Sequence, residues 1–174
     1  MNRKKAEQVF YELFDRNCGR WNGIARCYAA PAERDDLLQE MLLQIWRSLP
    51  SFQQQSQIDT WAYRVALNTA LGWDRKRKRR DVKLPRGTID DLATLAESQS
   101  GTADSEQRIL DQFIATLSDS QRAVLLLFMD DMPQDASAKI LGISPAAYRV
   151  RVHRLKKKFE ETFQLNRSPS HESK

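Results

Sequence analysis

The chain has 174 residues and a formal net charge of +5, and 41% of its residues are hydrophobic. That is enough apolar material to bury a core, which excludes a fully disordered chain, and no apolar run reaches the roughly 20 residues of a membrane-spanning helix. With only 6 Gly and 6 Pro, and long stretches of good helix formers, the composition predicts a nearly all-α protein.

The N-terminal segment predicts one or two helices between about residues 5 and 27. Apolar residues recur there at mostly helical steps, and Gly19 and Gly23 interrupt them. The segment lacks the continuous apolar core of a signal peptide, so we expect a cytoplasmic protein. Cys18 and Cys27 stand at no common zinc spacing. We therefore expect reduced thiols and predict neither a metal site nor a cofactor.

A strong amphipathic helix follows in "AERDDLLQEMLLQIWRSL". Pro31 precedes it and Pro50 ends it. A polar loop, "PSFQQQSQID", then leads to a further helical pattern, "TWAYRVALNTALGW", which continues into "DRKRKRR". This last run, residues 74–80, has six cations after one acid, and clustered cations attract polyanions. Residues 1–80 are predicted to form a first helical domain.

Residues 81–106 differ in character, because helical periodicity fades while Gly, Ser, Thr and acids accumulate. They predict an acidic linker. Helical periodicity returns at Gln107, and Ser118 or Asp119 is placed to cap a short, deeply buried helix. We assign residues 107–165 to a second domain, and the charged, Ser- and Pro-containing residues 166–174 to a disordered tail.

Within the second domain, residues 133–159 have the pattern of a helix-turn-helix. A short helix leads to a turn at Gly142, Ser144 can cap the next helix, and Pro145 takes its first position. The apolar positions Tyr148, Val152, Leu155 and Phe159 share one face, and the basic residues lie on the other. This pattern favours a helix that reads the major groove of DNA over a solvated basic helix in a bundle.

The order and spacing of these motifs resemble the sigma-70 superfamily of RNA polymerase sigma factors, specifically the small two-domain extracytoplasmic-function (ECF) type. The resemblance implies that "DDLLQEMLLQIWRSLPSF" docks on the clamp helices of the polymerase β′ subunit. The residues implied in that contact are Asp36, Gln39, Glu40 and Leu43. Without the family match, an ordinary solvated helix edge would be the preferred interpretation.

By the same resemblance, "TWAYRVALNTALGWDRKRKRR" engages the −10 promoter element. A pocket for a flipped base is implied at the loop and one helix position, and the cations of the basic run are candidates for backbone phosphates. These residues are Phe52, Gln53, Gln54, Gln55, Ser56, Asn68, Arg75, Lys76, Arg77, Arg79 and Arg80. Phe52 either stacks on a base or anchors the loop in the core. Trp61 is expected in the core, and Trp73 is a weaker candidate for a place near DNA.

The second domain resembles the −35-reading domain of the family. The implied DNA contacts are Ser144, Arg149, Val150, His153, Arg154 and Lys157. Arginine suits guanine edges or phosphates, and valine suits a thymine methyl. The chain departs from the family in "DASAK", where Ser137 takes the place of a buried isoleucine, so we expect looser packing there. Ala146 and Ala147 replace the usual Gly-Thr pair, so the −35 preference is expected to be particular to this chain.

The implied partners are core RNA polymerase, through the β′ clamp helices and the β flap, together with promoter DNA and an anti-sigma factor, without membrane insertion. A stand-alone helix-turn-helix regulator is the alternative, although it would not need the "DLLQE" helix. An enzyme such as a nuclease would need clustered carboxylates, whereas the acids here form adjacent pairs that diverge on a helix. We therefore predict no catalytic residues.

Overall fold

The computed structural model describes residues 3–83 and 102–164. Within these ranges the chain forms seven α-helices and no strand, which confirms the predicted all-α fold. The helices are α1 Arg3–Tyr28, α2 Arg34–Ser48, α3 Ile58–Lys83, α4 Thr102–Ala115, α5 Asp119–Met129, α6 Gln134–Leu141 and α7 Pro145–Gln164. None of the described helices has the length and apolar composition needed to cross a membrane.

Helices α1, α2 and α3 pack against one another and form a first unit. Although the sequence allowed for a break at Gly19 or Gly23, α1 is a single helix of 26 residues. Packing explains its continuity, since α1 buries side chains on both sides of the two glycines, including Leu13, Trp21 and Tyr28. The fully buried members of this core include Leu13, Trp21, Ile24, Leu37, Met41, Ile45, Leu49 and Tyr63.

Helices α4 to α7 form a second unit, in which α5 and α6 pack on α7. Of the two predicted caps, Ser118 is the N-cap of α5: its hydroxyl accepts from the amide of Gln121, and the Gln121 side chain accepts from the Ser118 amide. This reciprocal pair is a capping box, which satisfies two amides that the helix leaves unbonded. Five consecutive residues of α5, 123–127, are buried.

The predicted linker, residues 81–106, contains the C-terminal end of α3 and the N-terminal end of α4. Helix α3 continues to Lys83, and α4 begins at Thr102. The central part of the linker and the predicted C-terminal tail lie outside the described residues. The two units nevertheless touch directly, α1 against α5 and α3 against α6, so the loop before α3 lies close to the second unit.

Candidate nucleic-acid and polymerase interfaces

The outer edge of α2 presents acceptor groups beside one apolar side chain. Asp36 and Gln39 are exposed and Glu40 is half-buried, while Leu43 is 39% exposed. Their spacing of three to four residues places them on one side of the helix. The opposite side is fully buried, at Leu37, Met41 and Ile45. The edge can therefore bind a basic, partly apolar partner without disturbing the core.

The loop between α2 and α3 is fixed by an aromatic pair. The ring of Phe52 lies 5.2 Å from that of Trp61, and both side chains are half-buried. Of the two roles that the sequence left open for Phe52, the geometry favours anchoring the loop on α3. The side-chain amide of Gln55 donates to Oε1 of Gln53 at 3.0 Å, and these exposed amides leave hydrogen-bonding atoms facing solvent.

Gln54, at the tip of this loop, has a φ of 57°, which is in the left-handed region that favours glycine. We expect Gln54→Gly to raise the free energy of unfolding by about 0.5 kcal/mol, because the relief of steric strain exceeds glycine's extra entropy loss. Thermal unfolding of the two chains measures this. Gln54→Ala is the matched control, because it removes the rest of the same side chain but keeps the Cβ atom that causes the strain, so this variant should gain no stability. Equal shifts in both variants would show that the loop is not strained at Gln54.

Asn68 and three cations of the basic run line a groove of about 650 Å³ between α2 and α3. The groove is lined by Glu40, Gln44, Asn68, Thr69, Gly72, Trp73, Lys76, Arg79 and Arg80. The indole Nε1 of Trp73 is buried and has no hydrogen-bond partner within the described residues. An amide, an aromatic ring and cations in one groove suit a nucleic-acid strand, since cations bind phosphates and rings stack on bases.

The loop and Asn68, which the sequence placed in one pocket, line different cavities. The loop residues border a separate cavity of about 330 Å³ that also includes Arg64. Arg64 is exposed and lies one helical turn before Asn68. Its guanidinium is a candidate DNA contact that the sequence reading missed, although the i, i+4 spacing from Asn68 would have suggested it.

The basic run is divided by one buried carboxylate. Asp74 is fully buried, and its two oxygens lie 2.8 Å from an Arg77 nitrogen and 2.6 Å from Lys78 Nζ. Burial acts to raise the pKa of Asp74, but hydrogen bonds from Lys78 and Arg77 outweigh it and hold that pKa below its usual value. Arg77, a predicted phosphate contact, is therefore held against Asp74.

The remaining cations of the run point outward. Arg75, Lys76, Arg79 and Arg80 are exposed, and the last three line the groove beside Asn68. Arg80 also lies 3.7 Å from a carboxylate oxygen of Glu33. At 63% side-chain exposure for Arg80, this pair is too weak to withhold the cation from a phosphate.

Replacing Lys76 and Arg79 by Ala is expected to weaken DNA binding on all promoters alike. Because each cation accounts for about one phosphate, the slope of log affinity against log salt should fall by about two. Salt titrations of binding by the polymerase complex measure this. Arg77→Ala is the contrasting variant, and it should lower thermal stability more than the salt slope. A change in which promoters are chosen by the double variant would contradict the assignment.

In the second unit, the turn between α6 and α7 has the local structure that the sequence predicted. Gly142 takes a φ of 65° and ends α6 in the left-handed conformation, which glycine adopts without steric cost. The hydroxyl of Ser144 accepts from the amide of Ala147 at 3.1 Å, which caps α7. The turn thereby fixes the direction in which α7 leaves the unit.

Helix α7 presents a basic face to solvent. Arg149, Val150, His153, Arg154 and Lys157 are all exposed on one side. On the other side, Tyr148 and Leu155 are buried at 5% exposure each. Phe159 is only partly in the core, since it is 40% exposed while its ring packs 5.0 Å from Phe113. The exposed face has the composition of a helix that enters the major groove.

Ser137, which replaces an apolar residue of the family pattern, is fully buried. Its hydroxyl donates to the backbone oxygen of Met132 at 3.2 Å. Since the buried polar atom has a partner, the cost of its burial is largely offset.

The two cysteines are both free. Burial raises the pKa of Cys27 to about 11, although the positive charges of Arg122 and Arg26 act to lower it. Because the thiolate is the reactive form, this thiol is unreactive at neutral pH.

Comparison with known families matches the chain in two segments. Residues 13–80 match Sigma-70 region 2, and residues 107–159 match Sigma-70 region 4. The RNA polymerase sigma factor CarQ of Myxococcus xanthus is 30% identical over 162 residues, which cover 91% of each chain. The ECF RNA polymerase sigma-E factor of Haemophilus influenzae is 23% identical over 91% of this chain and 89% of its own.

Among solved structures, the sigma factor RpoE of Bartonella quintana, in complex with the anti-sigma factor NepR, has the same fold. It superposes with a TM-score of 0.71 over 94% of this chain and 99% of its own, at 20% identity. CnrH, in complex with the cytosolic domain of CnrY, gives a TM-score of 0.66 over 91% of this chain and 90% of its own, also at 20% identity.

Proposed function

Since the chain belongs to the sigma-70 family, in the ECF group of RNA polymerase sigma factors, we propose that it is an alternative sigma factor. In this role it binds core RNA polymerase and directs promoter recognition, DNA melting and transcription initiation. The observation that carries the proposal is that regions 2 and 4 occur in order in one chain. The alternative, a stand-alone regulator, gives no reason for the region 2 match or for the exposed acceptor edge of α2.

Each surface has a role in this proposal. The α2 edge around Asp36 binds the clamp helices of the β′ subunit, because its acceptors and Leu43 suit a basic, partly apolar partner. The cations beside Asn68 hold the backbone of the melted −10 strand, and the loop of residues 52–56 receives a base. The basic face of α7 reads the −35 element. No step requires a catalytic residue in this chain.

Two further protein partners complete the proposal. The β flap of the polymerase is assigned to the second unit through the family resemblance. An anti-sigma factor is a further proposed partner, since the structural relative RpoE is held by one in its complex with NepR. Co-purification of the tagged chain from cells before and after stress, with identification of bound proteins, tests whether such a partner exists.

Run-off transcription tests the main proposal directly. Core polymerase would be incubated with fragmented genomic DNA with and without the purified chain, and the transcript starts would be mapped. We expect a set of starts that depends on the chain and that shares −10 and −35 sequences. If no start depends on the chain while the housekeeping sigma factor is active in the same assay, the proposal fails.

A further inference from the structure

The C-terminal half of α7 contains three consecutive lysines whose side chains have different surroundings. Lys158 donates from Nζ to the backbone oxygen of Thr116 at 2.8 Å, so it holds α7 to the rest of the second unit. Lys157, a −35 contact predicted from the sequence, lies 3.7 Å from a carboxylate oxygen of Glu161. Lys156 is exposed, and it forms no ion pair with any residue that the structure describes. The charge of Lys156 is therefore available to a partner outside the chain.

An aromatic ring of α5 holds Lys156 in place. The Nζ of Lys156 lies 4.7 Å from the centroid of the Phe128 ring, which is within the range of a cation–π interaction. Phe128 comes directly after the five buried residues of α5 and is itself 45% exposed. Since the ring covers one side of the ammonium group, the N–H donors on its other side remain free to meet an anion.

Lys156 belongs to the same row of α7 as two residues predicted to read DNA. It lies three residues after His153 and seven after Arg149, and these spacings place the three side chains on one side of the helix. All three border a cavity of about 330 Å³ that the Phe128 ring also lines. The lining includes one acid, Asp131, which the two full positive charges of Arg149 and Lys156 outweigh. The local charge therefore favours an anionic partner.

The position of Lys156 along α7 favours a phosphate over a base edge. A helix rises about 1.5 Å per residue, so Lys156 lies about 10 Å beyond Arg149. In helix-turn-helix proteins the N-terminal residues of the recognition helix contact base edges, and the major groove is only about 12 Å wide. A side chain that far along the axis reaches the sugar–phosphate backbone at the edge of the groove. An ammonium group suits a phosphate there, because it is a compact charge with three donors.

We propose that Lys156 is a further contact to the DNA backbone beside the −35 element, and that Phe128 is the residue that positions it. The proposal rests on the proposed function, since it extends the DNA-reading face of α7. A lysine that is already held loses less conformational freedom when it binds, so Phe128 acts through Lys156. Because phosphates carry no sequence information, the contact adds affinity without altering which −35 sequence is preferred.

The test is a double-mutant cycle on core polymerase assembled with the full chain. The probe is a labelled duplex fragment of one promoter mapped by run-off transcription, and the readout is affinity as a function of salt concentration. The variants are Lys156→Ala, Phe128→Leu and the two combined, with Phe128→Tyr as the conservative replacement that keeps the ring. Arg151→Ala is the matched control, since it removes one exposed cation from another side of the same helix.

We expect Lys156→Ala to weaken binding by about threefold to tenfold and to lower the slope of log affinity against log salt by about one. The loss should be the same on promoters with altered −35 sequences. Arg151→Ala should change affinity by about twofold or less. An unchanged slope in Lys156→Ala, or a loss of affinity equal to that in Arg151→Ala, would overturn the phosphate contact.

We expect Phe128→Leu to weaken binding by about twofold to threefold in the native background and to have no effect in the Lys156→Ala background. Phe128→Tyr should bind like the native chain. A ring that only stabilised the fold would weaken both backgrounds equally, and that result would overturn the positioning role. Transcript starts that depend on the native chain, measured in the run-off assay, separate either failure from failure of the proposed function.

Discussion

Asp36→Arg is expected to weaken binding to core RNA polymerase by about 30-fold or more. Asp36 is exposed at the start of α2, on the same edge as Gln39 and Leu43. Reversing its charge places a cation against the basic partner proposed for this edge, and like charges across an interface are costly. Transcription from every promoter that depends on the chain should fall together. Titration of labelled chain with core polymerase measures the affinity.

Asp35→Arg is the control for this change. Asp35 is also exposed, also lies in the first turn of α2, and has the same interaction with the helix dipole. It projects about 100° away from Asp36 around the helix and borders the edge only at Gln39, so its reversal should weaken polymerase binding by about threefold or less. Equal losses from the two variants would mean that the effect is one of net charge or folding, and the docking edge would have to be sought elsewhere.

Arg149→Ala in α7 is expected to lower affinity for dependent promoters by about tenfold or more and to relax the preference at one position of the −35 element. Arg149 is exposed near the N-terminal end of the helix, which is the end that contacts base edges in helix-turn-helix proteins. Run-off transcription on a set of −35 variants of one mapped promoter measures both effects.

The matched variant is Arg151→Ala, which removes the same charge from an exposed position two residues along. Two residues correspond to about 200° around the helix, so Arg151 lies on the side away from Arg149 and borders the basic face only beside Arg154. Its loss should cost about twofold or less. If Arg151→Ala matched Arg149→Ala, the second unit would bind DNA through general charge alone.

Local patterns in the sequence were enough to predict most of the fold. The stripe of α2, the cap at Ser118 and the left-handed glycine at 142 each depend on neighbours within about one helical turn. The continuity of α1 could not be predicted in this way. Its two glycines weaken the isolated helix, and only the packing of distant helices against it decides that the helix persists.

The candidate site was predicted less completely, because contacts distant in sequence shape it. The pairing of Asp74 with Arg77 and Lys78 follows helical spacing and was readable in principle. The contact between Lys78 and Asp119 joins residues 41 apart, and no local pattern indicates it. The separation of Asn68 from the loop cavity likewise depends on distant helices, since α2 borders the groove beside Asn68 and α6 borders the loop cavity.

The complete burial of residues 123–127 also bears on whether the two regions can be treated as independent modules. A fragment that begins at Thr102 would lose α1, and the side of α5 around Leu126 would meet water. Exposed apolar patches of this kind promote self-association. Region 4 of this chain, cut free and expressed by itself, is therefore a poor guide to its behaviour in the whole protein.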